Sequence, residues 1–240
     1  MRFSIPRSAS STREPTQRSP ILVAAAFWLA AMAFTAVFAP WLAPYGYAEQ
    51  DLLARLQPPA FAGGDPDHWF GTDHLGRDVL SRVIYAIRIS MAVALLGALI
   101  GAVMGTFLGF LAAHARGLVD EAVMALVDVQ AALPFLIFAL LVIAFFGNDL
   151  VLFVVLVGLH GWERYARLAR GLVLDAKTKG YADAARATGL APWRIYLVHI
   201  GPNVASAMIV QLTLNLPETI LLDAGLSFLG LGIQPPLTSL

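Results

Sequence analysis

The sequence predicts an all-α protein, a polytopic bundle of transmembrane helices. Apolar residues make up 58% of its 240 residues and charged residues 13%, with a mean hydropathy of +0.71, whereas a soluble domain carries about 25% charged residues. A helix needs about 20 apolar residues to cross a bilayer core, and an open strand would leave its backbone unsatisfied in lipid. Five stretches are candidate spans: 21–43, 89–113, 122–146, 150–161 extended by its flanks, and 204–233.

The first element is a basic tail, residues 1–20, which carries four arginines ahead of the first apolar stretch. This order is also typical of a signal peptide. The apolar region of a signal peptide is 7–15 residues long and is followed by a small-residue cleavage site. Residues 21–43 exceed that length and lack a clear site. They are therefore predicted to form a retained first transmembrane helix.

Residues 44–88 are predicted to be an external loop with an amphipathic helix at the membrane surface. Asp78 and Arg82 lie four positions apart on the polar side of that helix. A solvated helix that leads directly into the second span is a similar alternative. The apolar residues that recur at helical spacing are Leu75, Val79, Leu80, Val83, Ile84 and Ile87.

The second span carries Gly97, Gly101, Gly105 and Gly109, one glycine every four residues. This spacing places all four on one stripe of the helix, where a neighbouring backbone can approach closely. We interpret the stripe as a packing surface inside the bundle in preference to a dedicated dimer seam.

Three acids fall within the later spans: Asp128 in the third, and Glu218 and Asp223 in the fifth. Each costs about 2.5–3.5 kcal/mol at the centre of a membrane helix. Such residues line a polar path, contact another helix, or lie near the interface. The path is the functional interpretation for all three. Pro134 and Pro217 predict kinks in these spans.

Basic residues set the predicted orientation. The tail and the segment 162–203 are both rich in arginine and lysine, so both are expected on the cytoplasmic side. The even number of spans between them agrees with this arrangement. Arg77, Arg82 and Arg88 would then lie outside, which conflicts locally with the rule.

The segment from Tyr181 to Asn203 is a polar island between apolar stretches. A bilayer does not stabilise such a segment, so it is expected to lie in water and contact a partner. Ala184 and Ala185 offer a small-residue face that a groove can approach, and Asp183 and Arg186 can fix the register. Gly189 suits the left-handed position that ends a helix.

This island resembles the coupling loop of permease subunits in ABC importers, which docks into the partner ATPase. The matching residues are Asp183, Ala184, Ala185, Gly189 and Pro202. Asp183 replaces the usual glutamate, and a glycine replaces the usual leucine before Pro202. The resemblance assigns ATPase coupling to Tyr181, Asp183, Ala184, Ala185, Arg186, Gly189, Trp193, Arg194 and Pro202.

Two further motifs resemble the C-type permeases of dipeptide, oligopeptide and nickel importers. One runs from Gly71 to Arg82 and continues at 88–90; the other runs from Asp223, where glutamate is usual, to Pro236. The resemblance implies a type I ABC importer permease fold in the bacterial inner membrane. In that family a further span follows the proline pair, so five spans are expected here, with a sixth missing beyond Leu240.

The resemblance also implies function and partners. The chain would be half of the translocation path of an ATP-driven importer of small peptides. It would pair with a second permease, two cytoplasmic ATPases that bind ATP and Mg²⁺, and an external solute-binding protein. It would bind no cofactor itself. Nickel or a glutathione-like peptide is the alternative substrate.

Other classes fit the sequence less well. The sequence lacks a phosphate-binding loop, any cysteine, a recognisable nucleophilic triad and a histidine pair with metal-ligand spacing. Its formal net charge of zero argues against nucleic-acid binding. We therefore do not expect an enzyme or a resident metal. A secondary transporter that uses the three intramembrane acids as a relay, and a scaffold without a path, are the rival functions.

Overall fold

The computed structural model describes residues 20–147, 149–178, 194, 198 and 200–232. These residues form seven α-helices and one short 3-10 turn, Ala60–Ala62. The helices are α1 (Pro20–Leu42), α2 (Val79–Ala115), α3 (Gly117–Ala132), α4 (Phe135–Phe146), α5 (Leu150–Leu159), α6 (Trp162–Thr178) and α7 (Gly201–Phe228). The all-α membrane bundle predicted from composition is confirmed.

Within the described residues, three helices are long and apolar enough to cross a membrane: α1, α2 and α7. The pair α3 and α4 passes the same test only when it is taken together, and it is bent by 92°. Leu133 has the extended backbone (φ −84°, ψ 129°) that a following proline favours. Pro134 therefore ends α3 and begins α4, which is a stronger effect than the predicted kink.

Side-chain contacts give the relative directions of several helices. Ser90 and Thr106 of α2 contact Asp223 and Met208 of α7 respectively. Positions rise along α2 while they fall along α7, so the two helices are antiparallel. The end of α1 lies at the start of α2, where Tyr45 N donates to Ser81 Oγ at 3.1 Å. The same comparison of α6 with α3, given below, makes those two helices antiparallel.

The predicted fourth span differs in the structure. Helix α5 has only 10 residues, but α6 follows after a turn at Gly161, whose φ is +85°. Along the glycine stripe of α2, neighbours change from Val157 near Gly97 to Ala166 near Gly109. The α5–α6 unit therefore runs parallel to the apolar middle of α2 and lies at its depth. It follows α2 in two pieces, and α6 occupies the start of the segment predicted as a loop, 162–203.

The predicted surface helix also differs. Helix α2 begins at Val79 and continues for 37 residues, so its first turns and the second span are one helix. Asp78 is its N-cap and accepts a hydrogen bond from Ser81 N at 2.7 Å, as short acidic residues do at helix starts. Leu75 precedes the helix. Residues 43–78 instead form a compact segment, which we call the polar lobe.

Helix α7 runs unbroken through Pro217, where the sequence predicted a kink or a break. Pro217 removes one backbone hydrogen-bond donor from the helix. The helical turns on either side of it are anchored by buried residues. Asn215, Thr219 and Asp223 on this stretch are each 1% exposed or less.

Two clusters form most of the core: one joins α2, α6 and the start of α7, and the other joins α2, α4, α5 and the end of α7.

Candidate functional site

Most of the predicted coupling residues lie outside the described part of the chain: Tyr181, Asp183, Ala184, Ala185, Arg186, Gly189 and Trp193. Arg194 is described and exposed. Pro202 lies in the first turn of α7, where a proline fits because no intrahelical partner is lost. The segment that carries the motif therefore connects the end of α6 directly to the start of α7.

The glycine stripe of α2 faces α5 and α6. A Cβ at Gly97 would lie 2.6 Å from Val157 Cγ1, and one at Gly101 would lie 2.8 Å from the carbonyl oxygen of Gly158. At Gly105 and Gly109 an added Cβ would collide with the carbonyl oxygens of Trp162 and Ala166. Backbone oxygens cannot rotate away as flexible side chains do. The absence of side chains on α2 thus sets how closely α6 approaches.

Three arginines of α6 form ion pairs with acids on the two neighbouring helices. Arg164 contacts Glu218 of α7, with NH2 and Oε1 3.0 Å apart. Arg167 NH2 lies 2.9 Å from Asp128 Oδ1 on α3. We call these two pairs, with the pair described next, the ion-pair ladder.

The third pair is Arg170 with Asp120 of α3. Arg170 Nε and NH2 donate to the two carboxylate oxygens at 2.5 and 2.7 Å, which is the bidentate geometry that arginine favours. Positions on α3 fall from 128 to 120 as those on α6 rise from 167 to 170, so α3 and α6 are antiparallel. The ladder joins α6 to both α3 and α7.

The ladder differs in exposure along its length. The side chains of Arg164 and Glu218 are 41% and 44% exposed, and those of Arg167 and Asp128 are 54% and 72% exposed. Tyr165, next to Arg164, lies against Gly105 in the apolar part of α2. Charges at this depth face water or protein, because lipid contact is costly. Two of the three predicted path acids, Glu218 and Asp128, therefore each lie beside an arginine of α6.

The third predicted path acid is placed differently. Asp223 is fully buried and accepts a hydrogen bond from Ser90 Oγ at 2.8 Å. It joins α7 to α2, away from the ladder. A polar group buried at membrane depth needs such a partner. In this structure the contact of Asp223 is with a neighbouring helix.

Sequence reasoning missed the arginines of the ladder and Asp120. It also missed two buried polar residues near the α5–α6 turn, Asn215 and Tyr165. Asn215 is 1% exposed and an added Cβ at Gly161 would lie 3.2 Å from its Oδ1. Tyr165 is fully buried. The spacing of Arg164, Arg167 and Arg170, three residues apart, is the signal that could have placed them on one helix facing the acids.

The polar lobe is organised around Asp73. Its carboxylate accepts from the backbone N–H groups of Leu75 and Arg77, at 2.8 and 3.0 Å, and from the guanidinium groups of Arg77 and Arg82, at 2.8 and 2.6 Å. Burial alone would raise the pKa of Asp73. The hydrogen bonds and the charge of Arg77 outweigh it and lower that pKa to about 2.

The lobe also contains an acidic cavity of about 380 Å³. His68 Nδ1 lies 3.1 Å from Asp78 Oδ1 at its wall. Across the described residues, no three acidic, histidine or cysteine side chains are arranged to hold a metal ion. Other residues that line the cavity include Tyr45, Glu49, Asp51, Asp67 and Gly76.

The chain matches two protein families. Residues 105–240 match the family described as binding-protein-dependent transport system inner membrane component. Residues 17–59 match the N-terminal transmembrane domain of oligopeptide transport permease C. The first match covers more than half of the chain, and the second covers α1 and the beginning of the polar lobe.

Individual relatives agree with these matches. The chain is 35% identical to a dipeptide transport system permease protein of Bacillus subtilis, over 97% of this chain and 75% of that protein. It is 37% identical to an oligopeptide transport system permease protein of Escherichia coli, over 90% and 71%. A dipeptide transport system permease protein of Escherichia coli is 41% identical, over 85% and 68%.

A solved structure supports the fold. A chain of the MetNI methionine ABC transporter, in a structure of its inward-facing conformations, aligns with a TM-score of 0.55 and 21% identity, over 63% of this chain and 76% of that one. The predicted type I ABC importer permease fold is thereby confirmed. Together with the family matches, these relatives show that the chain belongs to the binding-protein-dependent transport system inner membrane components.

Proposed function

We propose that this chain is one permease subunit of an ATP-driven importer of small peptides. The observation that carries the proposal is the set of relatives named as dipeptide and oligopeptide permeases, each matched over most of this chain. The chain contributes half of the translocation path and a second, related permease contributes the other half. A solute-binding protein delivers substrate from outside.

The exposed face of the ladder is our candidate for the wall of the path. It includes Asp128 and Glu218, and it brings charged groups to the depth of the apolar middle of α2. A hydrated path between two permeases would supply the water that these charges need. Asp223, buried between α2 and α7, supports the wall from behind.

Coupling to ATP follows from how α6 and α7 are connected. The motif Asp183–Gly189 lies between the end of α6 at Thr178 and the start of α7 at Gly201. An ATPase that moves this segment pulls on both helices, and α6 transmits the motion to α2 through the glycine contacts. Rigid helices that alternate between two packed arrangements are a common way to transmit such a change. ATP and Mg²⁺ bind to the ATPase subunits.

This proposal places the chain in the bacterial inner membrane with its N-terminus and the segment 179–200 in the cytoplasm. The basic residues of the tail, and the position of the end of α1 beside the start of α2, support that placement. The polar lobe then lies outside, where it meets the solute-binding protein.

The test is reconstitution in liposomes with the second permease, the two ATPases and the binding protein. We expect uptake of a labelled dipeptide that requires ATP and is unaffected by an uncoupler. Gly189→Leu should abolish uptake and substrate-stimulated ATP hydrolysis while the complex still assembles. The sequence predicts a left-handed helix end at Gly189, where a side chain would cost about 1 kcal/mol or more and would obstruct docking.

Gly171→Leu is the matched control, since an added Cβ at Gly171 meets nothing within 4 Å. Normal uptake by Gly189→Leu would contradict the coupling role. Uptake by the unaltered complex that survives ATP depletion and collapses with an uncoupler would instead indicate a secondary transporter.

A further inference from the structure

The two exposed pairs of the ladder present both signs of charge along α6. Arg164 and Arg167 follow α6 at a spacing of three residues, about 4.5 Å along the helix axis. Their acids lie on opposite sides of α6, with Glu218 on α7 and Asp128 on α3. Two guanidinium groups on α6 thus lie between a carboxylate on each neighbouring helix.

This arrangement matches the charges of a free peptide. A peptide carries an ammonium group at one end and a carboxylate at the other, about 7 Å apart for two extended residues. The ammonium pairs with a carboxylate such as Glu218, and the peptide carboxylate pairs with a guanidinium such as Arg164, which binds it in a bidentate fork.

Exchange of ion-pair partners also explains why the site needs both a positive and a negative side chain. When a peptide with both charges separates Arg164 from Glu218, each protein charge gains a new partner and none is left unpaired. A solute with only one charge exchanges one of these ion pairs for water, a weaker partner, so a discrimination of a few-fold is expected on this half-exposed surface. Rejection of a solute through an unpaired group is an effective form of specificity.

We infer that Arg164 and Glu218, with Arg167 and Asp128 beside them, form a binding site for the charged ends of a zwitterionic peptide during its passage. The inference rests on the proposed function, since it assigns a substrate class to the same path. Glu218 takes the ammonium end and Arg164 takes the carboxylate end. Because these are positions on helices, they also fix the orientation of the peptide relative to the membrane.

The experiment compares uptake of a free dipeptide with its N-acetylated and C-amidated forms, using one binding protein for every permease variant. Selection by the binding protein is then constant, so a change in the uptake ratio reports the permease. In Glu218→Gln the ratio of acetylated to free peptide should rise at least threefold and the amide ratio should stay constant. Arg164→Gln should show the converse.

Two further variants keep the test decisive. Arg164→Gln/Glu218→Gln removes both charges together and should raise both ratios, even if a single variant assembles poorly. Glu121→Gln is the matched control, an exposed acid of α3 next to the ladder but outside it; it should leave both ratios unchanged. Glu163 Oε1 lies 3.7 Å from Arg164 Nε, so Arg164 keeps an acidic neighbour in Glu218→Gln.

The outcomes separate the two proposals. If the unaltered complex shows no ATP-dependent uptake, the proposed function itself fails. If it transports and both ratios stay unchanged in all ladder variants, the zwitterion site is wrong. If the variants fail to pair with the second permease while Glu121→Gln pairs normally, the ladder is an interface between permeases and the zwitterion site is likewise overturned.

Discussion

Asp73 shows how one carboxylate organises a segment without regular secondary structure. It accepts four hydrogen bonds from three residues of the polar lobe and α2. Because the folded lobe holds its pKa at about 2 and the ordinary value is 3.8, the folded lobe binds fewer protons than the unfolded one. The resulting stabilisation is complete above about pH 4 and is lost as the pH falls through 2.

We therefore predict that the lobe loosens between pH 4 and pH 2, with a loss of about 2 kcal/mol. The measurement is pepsin cleavage within residues 44–78 in liposomes that expose the lobe, corrected with an unfolded substrate. Asp73→Asn cannot ionise and should be cleaved rapidly at every pH in this range. A pH profile of the unaltered chain that matches this variant would refute the role of Asp73.

For single residues of the polar lobe, spacing along the sequence predicted some contacts correctly and missed others. Gly71, Asp73 and Arg77 belonged to a recognised motif, but the sequence paired Arg82 with Asp78 because they are four apart. The structure pairs Arg82 with Asp73 and uses Asp78 as a helix cap. A turn that reverses the chain brings distant residues together, and helical spacing contains no information about it.

Between elements, the contact of α2 with α6 depends on the missing side chains of α2. We predict that Gly105→Ala lowers the stability of the subunit by about 1–3 kcal/mol, since an overpacked backbone contact forces the helices apart. Gly171→Ala lies in open space on α6 and should be neutral or slightly stabilising, because alanine favours helix by up to about 1 kcal/mol. Thermal unfolding of both variants in detergent provides the comparison, and equal midpoints would argue against close packing at Gly105.

Sequence periodicity indicated which face of α2 carries the glycines. It did not indicate which helix packs against that face, because a periodic pattern describes only the helix that contains it. The α5–α6 unit was hidden for another reason. A hydropathy average treats Arg164, Arg167 and Arg170 as loop residues, whereas in the structure acids on α3 and α7 neutralise them. Pairing across helices is invisible to any average along the chain.

For the whole molecule, the helix directions predict the accessibility of each segment. Leu53 in the polar lobe is 97% exposed, and Thr188 belongs to the part of the sequence between α6 and α7 that we propose is cytoplasmic. We expect Leu53→Cys to react with an impermeant maleimide added outside intact cells, and Thr188→Cys to react only after permeabilisation. The native chain contains no cysteine, so the background is low. Labelling of Thr188→Cys from outside would reverse the proposed orientation.

The parallel packing of α2 with α5–α6 has a consequence for biogenesis. A hairpin partner arrives soon after the helix it contacts, but Gly105 must wait until Trp162 and Ala166 have been synthesised, a delay on the order of a few seconds at ~5–20 residues per second. Meanwhile α3 and α4 have to enter the bilayer and turn back. During that interval the stripe is an unoccupied small-residue surface of the kind that attracts other membrane helices. Faithful assembly of this protein is therefore a question of timing at the translocon as well as of final stability.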